Sequence, residues 1–159
     1  MPAGRITKWE WFFSNVLTTG RLDDFSLKLC HTTRTALTST YADNYAGATP
    51  LQVFYRARAN VTPRSNEWFG FDFDAPFQYD GVRNLLLELR WKTGTETRAY
   101  THSTTVGARF VVSYVENGVP KHGYPNAGQV RDEQHYMRLT VTAAGVAPTS
   151  LGRVRALFR

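Results

Sequence analysis

Apolar and polar residues alternate with a period of two through most of this chain, and few folds can accept that pattern. Successive side chains of a β-strand point to opposite faces, so such runs bury one face and leave the other in water. In "GRITKWEWFF", Thr7, Trp9, Trp11 and Phe13 alternate with Lys8 and Glu10. In "DFSLKLCH", Phe25, Leu27 and Leu29 alternate with Ser26 and Lys28. "LQVFYRARA" sets Leu51, Val53 and Tyr55 on one face, and "HYMRLTVTAAG" turns Met137, Leu139 and Val141 inward. No long helix fits the pattern, which leaves room only for a short helical turn within 37–44.

The most apolar stretch, "NEWFGFDFDAPFQYDGVRNLLLELRW", runs from Asn66 to Trp91 and reads as a core hairpin. Phe69, Phe71 and Phe73 take one face of its first strand, and Trp68, Gly70 and Asp72 the other. Pro76 and Asp80-Gly81 supply turn chemistry, and Leu85, Leu87, Leu89 and Trp91 line the returning strand. Loops are expected at 14–24 around Gly20 and Asp23-Asp24, at 60–66 around Pro63, at 92–98 around Gly94 and across 121–134. "AYTHST" reads as a short edge strand, and Asn117-Gly118 as a tight turn closing the strand before it. Roughly seven to nine strands spaced by turn signals predict an all-β fold, an antiparallel β-sandwich with jelly-roll-like packing. The sandwich domain is placed at 1–145, followed by a linker and a short C-terminal segment at 146–159.

With 159 residues, 42% of them apolar, the chain can bury a core without a disulfide or metal staple. Its net charge is +6 and its pI about 9.7, mostly from arginine. No run of five basic residues occurs, which fits arginines spread over strand faces and weighs against nucleic acid as the partner. No stretch of about eighteen apolar residues appears, so no membrane span is expected, and no leader pattern is visible. Cys30 is the single cysteine and cannot form an internal disulfide. Its neighbour His31 points to the opposite face of the strand, which argues against a Cys–His dyad.

His31, His102, His122 and His135 lack the paired spacing of a zinc site. There is no Gly-x-Ser-x-Gly, no phosphate-binding glycine loop and no Cys-x-x-Cys, so no catalytic constellation and no cofactor is expected. Asp72, Asp74 and Asp80 surround the central turn and are the candidates for a structural calcium site; hydrogen bonding within the turn is the plainer reading. Asn60-Val61-Thr62 matches a glycosylation sequon, with Pro63 directly after it. Tyr41, Tyr45, Trp68, Tyr79, Tyr100 and Tyr124 are read as exposed aromatics, able to stack on sugar rings or meet a partner. Leu157 and Phe158, in the terminal "SLGRVRALFR", are candidates for docking on this domain or a neighbour.

The segment order resembles a poorly characterised family of secreted bacterial β-sandwich domains. The resemblance rests on the "ITK" strand, the "LCHT" strand end, Asn44-Tyr45-Ala46-Gly47-Ala48-Thr49-Pro50, the run "PFQYDGVRNL", and the end "LGRVRALFR", where relatives carry Trp-Gly-x-Ile-Lys-Ala-Leu-Tyr-Arg. It spans nearly the whole chain and carries no catalytic residues. It implies a non-catalytic extracellular or cell-surface module for structure or adhesion, self-assembling into a multimer or filament through edge strands and terminal segments. The implied partner is a second copy or another cell-surface protein. The alternative is a carbohydrate-binding module that takes a glycan on the loop aromatics. Relatives place another strand before the "ITK" strand, so the expectation is either an open edge beside the first strand, a template for strand addition, or a start that has been trimmed.

Overall fold

The computed structural model describes residues 1–95, 99–101, 103–113, 115–116, 119–120 and 128–142, those between 99 and 134 through their backbone pairing alone. It is an all-β fold of antiparallel strands in a sandwich-like arrangement of two main sheets. The first sheet has β1 (Gly4–Val16) at its centre, β4 (Glu67–Tyr79) on one side, and β12 (Met137–Thr142) with the short β7 (Ala99–Thr101) as further partners. The second centres on β2 (Gly20–Thr32), between β3 (Leu51–Val61) and β5 (Asn84–Arg90), with β6 (Thr93–Thr95) also pairing to β2. β8 (Ser103–Ser113) and β11 (Gly128–His135) form a separate two-stranded ribbon. β9 (Val115–Glu116) pairs antiparallel with β10 (Val119–Pro120); Asn117 and Gly118 lie outside the described residues.

The alternation finds its core. Ile6, Trp9, Phe25, Leu27, Leu29 and Val53 are fully buried. Phe71 of the first sheet packs against Phe25 and Phe54 of the second, at centroid distances of 5.1 and 4.8 Å. Each such side chain, once buried, contributes about 1.5–3 kcal/mol before entropy is counted.

The stretch from Asn66 to Trp91 is not a hairpin. β4 pairs with β1 and β5 pairs with β2, so its two strands lie in different sheets. Their apolar faces oppose each other across the core, which satisfies the same pattern as pairing side by side. The crossing is made by Asp80–Arg83. The Asp80 carboxylate accepts the backbone N–H groups of Val82 and Arg83, both at 3.0 Å. Gly81 takes φ +77° where a Cβ would lie 2.7 Å from the Ala3 nitrogen. Pro76 does not turn the chain: it sits inside β4, in a bulge where Ile6 pairs with Phe77 but Lys8 already pairs with Asp72.

Other departures share that cause. The same bulge interrupts β1, so Ile6 rather than Thr7 enters the core beside Trp9. In β3 the register slips between its pairings with Leu27 and Lys28; Val53 and Phe54 are both buried, while Leu51 and Tyr55 are exposed. Segments expected as loops are strands wherever a partner is at hand: Gly20–Asp24 belongs to β2, Thr93–Thr95 pairs with it, and Gly128–Gln134 pairs with β8. This raises the strand number to twelve among the described residues. The short helical turn appears as α1 (Tyr41–Asn44). The edge expected to lie open beside the first strand is occupied, since β1 is flanked on both sides. Residues 143–159, with the proposed linker and tail, lie outside the described residues.

Candidate functional site

The side of β1 turned away from Trp9 carries a compact polar array. β1 and its neighbours bring Glu10, Gly70 and Arg138 into one cross-strand row, with Phe12 and Trp68 in the adjoining one. Arg138 grips the Glu10 carboxylate with two nitrogens, at 2.5 and 2.9 Å. Lys8 adds a third contact at 3.2 Å. Burial by itself would raise the Glu10 pKa, but the hydrogen bonds from Arg138 and Lys8 outweigh it and hold the carboxyl below its usual range. The Arg138 guanidinium also lies 4.5 Å above the Trp68 ring, and Phe12 meets that ring edge-on. Trp68 is therefore half-buried with one face covered, rather than an open stacking platform.

A second array lies where the β2–β3 loop folds onto β5. The Tyr45 hydroxyl donates to Glu88, which also faces Lys28 and Arg90. Burial, then that hydrogen bond, raises the Tyr45 pKa; burial, then the charge of Glu88, raises that of Tyr41. Tyr45 thus ties the loop to β5, and both tyrosines are only partly exposed. The same surroundings reach Cys30, whose thiol is pushed up to about 11 by burial and then by Glu88. A thiol in that state is protonated and inert at neutral pH.

The third array ties down the crossing. His31 Nε2 accepts the Asp80 backbone N–H at 3.2 Å and stacks on Tyr79. Arg83 bonds the Asp80 carboxylate at 2.6 Å. Tyr79 is buried rather than exposed, and its hydroxyl donates to the Arg83 carbonyl.

The three aspartates do not converge. Asp80 is held as just described, with Arg83 and then the Val82 N–H keeping its pKa well down. Asp74 accepts the Tyr55 N–H at 3.0 Å and pairs with Arg56 at 2.8 Å. Asp72 sits at the register position of Lys8. Among the described residues no group of three His, Cys, Asp or Glu side chains could hold a metal ion. Tyr100 lies on β7 by its backbone, while Tyr124, Leu157 and Phe158 lie outside the described residues, as do His102 and His122. Glu10, Glu88 and Arg138, which organise the first two arrays, were not foreseen in these roles. In sequence each is an ordinary polar position of an alternating strand, and only its cross-strand neighbour gives it a role.

No helix among the described residues is long and apolar enough to cross a membrane. No protein-family model, no curated protein and no solved structure matches this chain.

Proposed function

We propose that this chain is a non-catalytic structural or adhesive β-sandwich module of the cell surface or extracellular space, and that it joins copies of itself through a sheet edge. The reading is carried by the outer edge of β4. From Glu67 to Asp72 this strand pairs with β1 on one side and, among the described residues, with no strand on the other. Its sequence, Glu-Trp-Phe-Gly-Phe-Asp, is strongly strand-forming and has charge only at its ends.

An antiparallel pairing of two copies about Gly70 sets Phe69 opposite the second copy's Phe71 and Trp68 opposite its Asp72. No like charges meet, and aromatic cross-strand pairs of this kind stabilise a sheet. The β3 edge is the poorer choice. Pairing about Ala57 sets Arg56 opposite Arg58, and Asp74 already takes the outward N–H of Tyr55. Charged, obstructed edges of this kind resist strand addition.

The test is native mass over a concentration series, with electron microscopy of the same samples. Wild type should grow in mass with concentration. The double variant Trp68→Lys/Asp72→Lys sets lysine against lysine at the proposed contact and should stay monomeric, with its far-ultraviolet circular dichroism and cooperative thermal unfolding retained. Arg56→Glu, on the other edge, should assemble as wild type does. A wild type that stays monomeric at high concentration, or a folded double variant that still assembles, would overturn the reading.

A further inference from the structure

The loop between β2 and β3 is folded around one buried side chain. Asn44 accepts the Thr38 N–H at 2.8 Å and donates to the carbonyls of Thr38 and Thr40 at 3.0 and 3.1 Å. Thr32 closes the loop by donating to the Asn44 carbonyl at 2.7 Å. On the outside of this fixed loop is a solvent-open hollow of about 610 Å³, lined by Thr33, Arg34, Thr35, Leu37 and Thr38 among others. That volume is in the range of small-molecule sites, roughly 300–1,000 Å³.

Arg34 is held in three ways. Its backbone N–H donates to Thr32 Oγ1 at 3.2 Å, its carbonyl accepts Asn84 Nδ2 at 2.8 Å, and its Nε donates to the Asp43 carbonyl at 3.1 Å. Arg21, Arg56, Arg83, Arg90 and Arg138 meet carboxylates, while Arg5, Arg58 and Arg64 show no such pair among the described residues. Arg34 meets none among the described residues either; what sets it apart is that its Nε is fixed beside the hollow. Its charge is oriented and has no counter-ion among those residues, and the terminal amino groups of a guanidinium match a carboxylate in a planar fork.

We infer that this hollow binds a carboxylate-bearing saccharide. The sugar carboxylate pairs with Arg34, ring hydroxyls bond the Thr33 and Thr35 side chains, and the aliphatic ring face rests on Leu37. One cation suits a singly charged sugar acid. A phosphate site would call for further positive charge or converging backbone N–H groups. The site lies on the second sheet's loop and does not depend on β4-edge pairing, so each idea can fail alone.

The experiment is calorimetric titration of the full chain with trigalacturonate, with neutral galactotriose as the control. Wild type should bind trigalacturonate and leave galactotriose unbound. Arg34→Gln keeps an amide N–H for the Asp43 carbonyl but removes the charge; it should bind about tenfold more weakly, or worse, at an unchanged melting temperature. Thr35→Val, at an exposed position, should weaken binding about threefold. The Trp68→Lys/Asp72→Lys variant should bind as wild type does. Equal affinity for the neutral sugar, full affinity in Arg34→Gln, no binding by wild type at millimolar sugar, or complete competition by equimolar inorganic sulfate would each overturn the inference.

Discussion

Gly70 shows how much one position can owe to its neighbour. It lies opposite Glu10 in the β1–β4 register, and a Cβ there would run into the Trp9 carbonyl oxygen and the Glu10 Cα. Both are backbone atoms of the central strand and cannot swing aside. Gly70→Ala should therefore cost about 3 kcal/mol, read as a lower urea midpoint at unchanged slope. A loss below about 1 kcal/mol would mean that β4 shifts without cost. Nothing in the sequence distinguishes this glycine from one that merely occupies a polar face, because the constraint comes from a strand roughly sixty residues away. The large apolar residues were more legible. Trp9, Phe25, Leu27 and Leu29 were assigned to the core by alternation and lie there with no exposure. Tyr79 and Tyr45 misled for a physical reason: a tyrosine with a buried ring and a bonded hydroxyl looks the same in sequence as one facing water.

At the scale of the elements, bulges decide where alternation fails. The β4 bulge swings Asp74 toward the other sheet, where it caps the Tyr55 N–H and faces Arg56. The Tyr55 N–H, then Arg56, lowers the Asp74 pKa. Asp74→Ala should cost less than about 1 kcal/mol of global stability, since the pair is half-exposed. Local protection should respond more: the Tyr55 amide should exchange its hydrogen about tenfold faster. An unchanged exchange rate would show that Asp74 does not cap the edge. The apolar face of β12 was readable end to end, and that of β2 from Phe25 onward. In β3 and β4 the register irregularities change which neighbours meet and, in β3, bury Phe54 beside Val53, but Phe71, Phe73, Phe77 and Tyr79 still share one face.

For the whole molecule, the link between the sheets has a pH signature. Burial lowers the His31 pKa from its usual 6.5; Asp80 opposes this and Arg83 adds to it. The neutral ring is the form that accepts the Asp80 N–H. On acidification the unfolded chain takes up this proton first, so His31's contribution to stability is present above about pH 6.5 and is lost as pH falls toward the lower folded value. Melting temperature should drop more between about pH 7.5 and pH 5.5 in wild type than in His31→Gln, which cannot titrate. Parallel profiles for the two proteins would remove His31 from the account. The sequence by itself determined the all-β class, the apolar faces of most strands and the turn at Asp80-Gly81, because a period of two and local turn chemistry act over a few residues. Only the tertiary structure decided that β4 and β5 belong to different sheets, that β1 is central, and that Arg34 meets no carboxylate among the described residues. Strand partners are chosen by which faces and charges meet across long separations, and a local pattern is equally satisfied by side-by-side and face-to-face packing.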